Sequence, residues 1–169
     1  LIYGMGKTGL SSYNYLKKNN QISLYDDNKK IFKKKYLKKF LLEKSKINQK
    51  NFDYIVVSPG INVHKCNLKK YLKKNSKKII TDLDIFYSHH SKNKIITITG
   101  TNGKSTTAKL LNLILRDHKK DSRLCGNIGK PILEEKKISK KTLFVIEASS
   151  YQIAYSKLFK KNYAIILNI

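Results

Sequence analysis

Seven consecutive residues, Gly100-Thr101-Asn102-Gly103-Lys104-Ser105-Thr106, combine glycines, a lysine and hydroxyl side chains in a spacing that suits phosphate chemistry. They lie between an apolar run and an amphipathic run, so they are predicted to join a strand to a helix. Amides at such a helix start can cradle phosphates, Lys104 can neutralise β- and γ-oxygens, and Ser105 or Thr106 can reach Mg²⁺. Ile98 replaces the first glycine of G-x-x-x-x-G-K-[ST]. We interpret the loop as a variant P-loop that binds a nucleoside triphosphate; the alternative is an ordinary glycine-rich helix start.

A second glycine motif, Gly4-Met5-Gly6-Lys7-Thr8-Gly9, matches G-x-G-x-x-G between a predicted strand and a predicted helix. Glycines there let the backbone approach a pyrophosphate at the helix N-terminus. Asp26 and Asp27 follow the next strand, where a carboxylate could accept hydrogen bonds from a ribose or a base. Two alternatives stay open: the glycines serve strand-to-helix packing while the aspartates cap a helix at Asn28, or the motif belongs to a dehydrogenase.

Glu147 follows the apolar run Leu143-Phe144-Val145-Ile146. A carboxylate at the C-terminal end of a parallel strand points into the crevice where α/β sheets bind ligands, so Glu147 could hold a metal. The alternative is an ion pair with one of the many lysines. Gly126-Asn127-Ile128-Gly129 is either a simple turn or a close approach to a polar ligand.

The four histidines show no metal-ligand spacing, so we expect each of them in a surface loop (His64, His89, His90 and His118). Cys66 and Cys125 have no CxxC partner, and we expect reduced thiols in a cytoplasmic protein.

Short apolar runs alternate with helical periodicity along the whole chain. Strands are predicted at 1–3, 22–25, 54–57, 79–80, 95–99, 142–147 and 163–169, the last of them buried. Helices are predicted at 7–18, 28–42, 65–74 and 104–116. The inner stripe of the last helix is expected to comprise Leu110, Leu111, Ile114 and Leu115. The order predicts an α/β fold: a Rossmann-like N-terminal domain with a parallel sheet, then a truncated P-loop ATPase-type central domain.

The polar stretch 88–94 has little to bury and is predicted to be a linker. We therefore expect a first domain at 1–88, a linker at 89–94 and a second domain at 95–169. The first strand is short and a strand ends the sequence, so we expect a fragment of a longer protein.

The net charge of +25 suits a nucleic-acid binder, but only two of the 36 basic residues are arginine. Scattered lysines favour solvated helix faces over specific nucleic-acid binding. Hydrophobic residues make up 40%, which is typical of a globular protein. The apolar runs are too short to span a membrane, and no export signal is apparent.

The order of the motifs resembles the Mur ligases, a family of ATP-dependent amide-forming enzymes of peptidoglycan precursor synthesis. The loop at 100–106 taken alone is also compatible with folylpolyglutamate synthase. All the motifs taken together favour the D-glutamate-adding branch of the Mur family. The motifs that carry this resemblance are at residues 4–11, 58–61, 100–106, 126–129, 147–152 and 166–168.

The resemblance implies that ATP phosphorylates the L-alanine carboxylate of UDP-N-acetylmuramoyl-L-alanine, and that the D-glutamate amine attacks the acyl phosphate. The resemblance implies that Lys104 and Glu147 are catalytic residues and that residues 100–106 bind ATP. It also implies that Ser105 and Glu147 bind Mg²⁺. The residues assigned to the UDP-sugar are Gly6, Lys7, Thr8, Gly9, Asp26, Asp27, Ser58, Asn127, Ser149 and Gln152. Asp27 stands where the family more often has a hydroxyl.

The family also implies that the remaining metal ligands and the amino-acid site lie beyond Ile169. The fragment is therefore expected to be inactive alone, and the full-length enzyme to be a cytoplasmic monomer. The alternatives are a nucleotide or UDP-sugar binding module without catalysis, an NAD-dependent oxidoreductase and a nucleic-acid protein.

Overall fold

The computed structural model describes residues 1–28 and 35–168. It has two compact units, Leu1–Asp82 and Leu83–Ile169. Within the described residues each unit contains a four-stranded sheet in which every strand pair is parallel. The prediction of an α/β fold with parallel sheets is confirmed.

The sheet of the first unit has the strand order β2-β1-β3-β4. Its strands are β1 Ile2–Tyr3, β2 Leu24–Tyr25, β3 Ile55–Val57 and β4 Ile79–Ile80. The described helices of this unit are α1 Lys7–Leu16, α2 Lys35–Lys38, α3 Lys44–Gln49 and α4 Lys69–Lys74. The strands are almost entirely buried, which agrees with their continuous apolar sequence.

The predicted helix at 28–42 is only partly testable, because 29–34 lie outside the described residues. Within the described part, α2 ends at Lys38 and the chain turns to extend the sheet. Leu24 donates its N–H to the Phe40 carbonyl at 2.8 Å, and Leu42 donates to the Leu24 carbonyl at 2.9 Å. The prediction of helix to Leu42 is therefore wrong, because the edge of β2 satisfies these backbone groups. Helix α3 was not predicted.

The sheet of the second unit has the order β6-β7-β5-β8. Its strands are β5 Lys94–Thr99, β6 Ser122–Gly126, β7 Leu143–Glu147 and β8 Tyr163–Ile166. The helices are α5 Asp82–His90, α6 Lys104–Asp117 and α7 Ser150–Tyr155. The register sets Ile98 of β5 beside Glu147 on one side and Ile165 on the other.

Helix α6 packs on this sheet around Ile98, Ala108 and Val145, all fully buried. Leu111 and Leu115 join the cluster as predicted. Leu110 and Ile114 are instead 57% and 47% exposed, so their place in the inner stripe was wrong. The sheet-facing stripe is displaced because it includes Asn112, whose side-chain oxygen accepts a hydrogen bond from the Ser122 hydroxyl at 2.8 Å. A buried asparagine on this face has no apolar signature in the sequence.

The predicted linker at 88–94 carries regular structure at both ends, since α5 extends to His90 and β5 begins at Lys94. Helix α5 packs into the second unit, where Phe86 lies 4.8 Å from Phe144 between ring centroids. His89 and His90 end this helix, so their placement in loops was wrong. The domain bounds 1–88, 89–94 and 95–169 stay a prediction.

Strand β8 is parallel as expected and pairs with β5, but it is not buried. Tyr163 and Ile166 are 59% and 63% exposed, because β8 lies at the edge of the described sheet. Among the described residues, no helix has both the length and the apolar character needed to cross a membrane.

Candidate functional site

The loop 100–103 follows β5 and leads directly into α6 at the carboxyl edge of the second sheet. The first helical hydrogen bond runs from the Thr107 N–H to the Gly103 carbonyl oxygen at 3.0 Å. The N–H groups of a helix's first turn have no acceptor within the helix and carry the positive end of its dipole. Gly103 and Thr106 are exposed at this helix start. The loop therefore offers backbone donors to an anion.

The Lys104 ammonium is folded onto this loop. Its Nζ donates to the carbonyl oxygens of Gly100 and Thr101, each at 2.8 Å. These two bonds hold the positive charge on the loop that leads into α6. A phosphate group bound there would meet the lysine and the amides together.

The side chains of Glu147 and Ser105 are in contact at the start of α6. The Ser105 hydroxyl donates to Glu147 Oε2 at 2.7 Å, and the glutamate is only 5% exposed. Strand pairing brings them together: Glu147 ends β7 beside Ile98, and Ala148 donates its N–H to the Ile98 carbonyl at 3.1 Å. The alternative that Glu147 only pairs with a lysine has no support in this contact.

The Glu147–Ser105 pair fits a magnesium site that is completed by a ligand. Mg²⁺ prefers oxygen donors and is commonly held by one or two carboxylates together with substrate phosphates and waters. A carboxylate and a hydroxyl 2.7 Å apart supply that chemistry next to the phosphate loop. The described residues contain no group of three or more His, Cys, Asp or Glu that could bind a metal without such help.

The two segments beside Glu147 are engaged mainly in local structure. Asn127 is exposed, and its N–H donates to the Glu147 carbonyl oxygen at 2.9 Å. Ser149 and Gln152 form a reciprocal cap at the start of α7, with both backbone-to-side-chain distances 3.1 Å. Gln152 is 1% exposed. All three lie near the carboxyl end of β7, and their contact with a ligand stays a prediction.

The glycine motif of the first unit packs as its spacing suggested. A Cβ at Gly9 would overlap the carbonyl oxygen of Gly4, so only glycine permits α1 to lie this close to the end of β1. The Ser58 hydroxyl donates to the same Gly4 carbonyl at 2.6 Å. Gly6 has open space around it, and Lys7 is exposed at the start of α1 beside the half-buried Thr8. This end of the motif is accessible to a ligand.

Asp26, which directly follows β2, accepts a hydrogen bond from the backbone of the glycine motif. Its Oδ2 accepts the Met5 N–H at 2.6 Å, and its Oδ1 accepts the Asn28 N–H at 2.8 Å. The carboxylate is 8% exposed. The bond to the Asn28 amide is the one that the capping alternative requires, but residues 29–34, which would form the capped helix, lie outside the described residues. Asp26 also has a second role, in shaping the glycine loop, that sequence analysis missed.

Asp27 accepts the Tyr3 hydroxyl, with both carboxylate oxygens 2.8 Å from it. Burial raises the pKa of Tyr3 far above its usual value, and neighbouring Cys66 and Asp27 raise this pKa further. Tyr3 thus stays protonated and donates to Asp27.

Residues 1–80 match the family model described as Mur ligase MurD-like, N-terminal domain, and residues 98–169 match the Mur ligase middle domain. The chain belongs to the Mur ligase family. This confirms the resemblance drawn from the motifs. Family membership favours the Mur ligase interpretation over the dehydrogenase and nucleic-acid alternatives.

Curated Mur ligase relatives are similar over essentially the whole chain. Three of them, each named UDP-N-acetylmuramoylalanine–D-glutamate ligase, come from Rickettsia bellii (37% identical), Buchnera aphidicola (39%) and Caldicellulosiruptor bescii (36%). The aligned segments cover 99% to 100% of this chain but only 37% to 39% of those proteins. The chain thus spans well under half the length of these relatives.

A solved structure shares the fold. It is the UDP-N-acetylmuramate:L-alanyl-γ-D-glutamyl-meso-diaminopimelate ligase from Neisseria meningitides, with a TM-score of 0.50 and 16% identity over 99% of this chain and 59% of that one. At this identity the likeness concerns the fold alone.

Asn168 had no predicted role, although its side chain contacts the loop 100–103. Its carboxamide oxygen accepts the N–H groups of Thr101 and Asn102 at 2.7 and 2.9 Å. One signal was present: Asn168 lies near the end of a predicted strand, 163–169, and the other parallel strands end in loops that were assigned to ligands.

Proposed function

We propose that this chain forms the UDP-sugar-binding and ATP-binding parts of a ligase that adds D-glutamate to UDP-N-acetylmuramoyl-L-alanine. The observation that carries the proposal is the 2.7 Å contact of Ser105 with Glu147, next to a loop whose backbone carbonyl oxygens accept the Lys104 ammonium. Nucleotide phosphates require positive charge and N–H donors, which the Lys104 ammonium and the amides of the helix start supply. Mg²⁺ requires oxygen ligands, which the Ser105 hydroxyl and the buried Glu147 carboxylate supply. The names of the curated relatives supply the substrates.

In this proposal the loop amides and Lys104 bind the β- and γ-phosphates of ATP. Lys104 exchanges its two carbonyl acceptors for phosphate oxygens and offsets the charge that develops during phosphoryl transfer. Ser105 and Glu147 would hold Mg²⁺, which when bound neutralises phosphate charge. Glu147 is fixed for this by its strand and by the Ser105 hydroxyl, so it needs little rearrangement.

The first unit binds the UDP-sugar in this proposal. Its diphosphate would lie at the start of α1, where Gly6 leaves space for a close backbone approach and Lys7 adds a positive charge. Thr8 and the aspartates after β2 would contact the nucleoside. Ser58, Asn127, Ser149 and Gln152 are assigned to the same substrate by resemblance. We place the enzyme in the cytoplasm, where UDP-linked precursors and ATP are available, and expect the full-length ligase to be monomeric.

The ligase activity is tested with a chimera in which residues 1–169 replace the aligned segment of the Rickettsia bellii relative. We expect phosphate release from ATP that depends on both D-glutamate and UDP-N-acetylmuramoyl-L-alanine. A matched chimera with Lys104→Ala should lose this activity. A chimera that binds the UDP-sugar but gives no amide product would contradict the proposal.

The 169-residue chain alone should bind the UDP-sugar without forming the amide. Orientation of two substrates is worth about 7 to 11 kcal/mol. The curated relatives use a chain more than twice as long for the same task. D-glutamate-dependent phosphate release by the isolated chain would show that this division of roles is wrong.

A further inference from the structure

Three hydrogen bonds join the Asn168 side chain to the phosphate loop. Its Oδ1 accepts the backbone N–H of Thr101 at 2.7 Å and that of Asn102 at 2.9 Å. Its Nδ2 donates to the Asn102 carbonyl oxygen at 3.2 Å. One carboxamide therefore satisfies two donors and one acceptor in the first half of the loop.

Strand β8 brings Asn168 to this position. Pairing with β5 continues beyond β8, because the Leu167 N–H donates to the Thr99 carbonyl oxygen at 3.1 Å. The next residue lies directly against Gly100, where a Cβ would be 3.2 Å from both the backbone nitrogen and oxygen of Asn168. Gly100 has φ +139°, a conformation that other residues rarely adopt. The glycine thus permits the loop and the Asn168 segment to approach each other.

The half of the loop held by Asn168 also holds Lys104. Thr101 donates its N–H to Asn168 and presents its carbonyl to the Lys104 ammonium, and Gly100 supplies the second carbonyl. The other half, from Gly103 into α6, retains the amides that a phosphate needs. Asn168 therefore fixes the loop without occupying its helix-terminal donors.

We propose that Asn168 is a positioning residue for nucleotide binding, which holds Thr101 and Asn102 so that Lys104 and the helix amides converge on the phosphates. The inference rests on the proposed function and adds to it a residue outside the glycine loop. All three of Thr101, Asn102 and Asn168 are exposed, so their bonds contribute little to global stability. Their effect is to order the loop in advance, which lowers the entropic cost of binding.

The test compares MgATP affinity of the 169-residue chain with that of Asn168→Ala and Asn162→Ala. Asn162 is the matched control, because its Oδ1 accepts the Ile95 N–H at 2.8 Å just before β8, at the opposite end of the same strand pair. We expect Asn168→Ala to weaken MgATP binding about tenfold, as loss of two or three hydrogen bonds to an ordered loop implies. Asn162→Ala should leave the affinity within about twofold.

Amide hydrogen exchange gives a second measurement that needs no nucleotide. Asn168→Ala should speed exchange at Thr101 and Asn102, whereas Asn168→Asp keeps an acceptor for both N–H groups and should retain their protection. Equal MgATP affinity and equal exchange in Asn168→Ala and Asn162→Ala would overturn the positioning role. A wild-type chain that does not bind MgATP would contradict the proposed function itself, and this result is seen before any variant is compared.

Discussion

Replacing Glu147 with glutamine removes one buried negative charge while keeping its shape. Glu147 is 5% exposed and accepts the Ser105 hydroxyl at 2.7 Å. Glutamine Oε1 can accept the same bond, although a bond to a neutral acceptor is weaker by about 1 kcal/mol. The variant also avoids the cost of burying a carboxylate, which offsets this loss. We expect the free energy of unfolding to change by no more than about 1 kcal/mol.

The effect of Glu147→Gln on magnesium should be much larger than its effect on stability. Loss of a group that holds or orients a metal typically lowers metal affinity by about 10- to 100-fold. We therefore expect the Mg²⁺ concentration that half-saturates ATP binding to rise by about that factor. UDP-sugar affinity should stay within about twofold, because the residues assigned to its diphosphate and nucleoside lie in the first unit.

Calorimetric titration of ATP at several Mg²⁺ concentrations, together with urea unfolding, checks both expectations. Glu134→Gln is the control, because Glu134 is an exposed carboxylate of the same unit. The same Mg²⁺ dependence in the two variants would remove Glu147 from the metal site. A loss of more than about 3 kcal/mol of stability, with both ligands lost equally, would instead indicate a structural role.

Three further substitutions test other parts of the account. Lys104→Ala should reduce ATP affinity at least about tenfold by calorimetry, whereas Lys109→Ala, at an exposed position of the same helix, should not. Gly9→Ala should lower the free energy of unfolding in urea by about 2 kcal/mol or more, because the added methyl group overlaps the Gly4 carbonyl oxygen. Gly6→Ala should lower the free energy of unfolding by less than about 1 kcal/mol, but it should weaken UDP-sugar binding. In wild type, stability should fall as the pH rises above about 10, since Tyr3 keeps its proton only in the fold; Tyr3→Phe should reduce this slope in unfolding titrations.

Seven of the eight described strands and the glycine loops could be predicted because their signals are local. Strand β6 was missed, because Ser122–Gly126 contains no continuous apolar run. Apolar runs mark the buried strands, and a glycine motif directly after a strand marks a strand-to-helix turn. The end of α2 could not be predicted, because a long-range pairing of Leu41 with Leu24 replaces helix there. Likewise, the exposure of Leu110 follows from the presence of Asn112 on the buried face, and a hydrophobic pattern cannot show this.

The site residues that could be predicted from the sequence are those that lie in local sequence motifs. Lys104 and Ser105 lie within a recognisable loop, and Glu147 ends a strand. The contact of Glu147 with Ser105 depends on strand order, which sequence patterns do not fix. Asn168 escaped prediction for the same reason, since its partners lie 66 and 67 positions away.

The central claim is that one chain carries an ATP site in its second unit and a UDP-sugar site in its first. Calorimetric titration with MgATP and, separately, with UDP-N-acetylmuramoyl-L-alanine tests this claim most directly. We expect one site for each ligand, with Lys104→Ala weakening MgATP binding at least about tenfold and leaving UDP-sugar binding unchanged. Absence of MgATP binding, or binding of NAD in place of the UDP-sugar, would contradict the account.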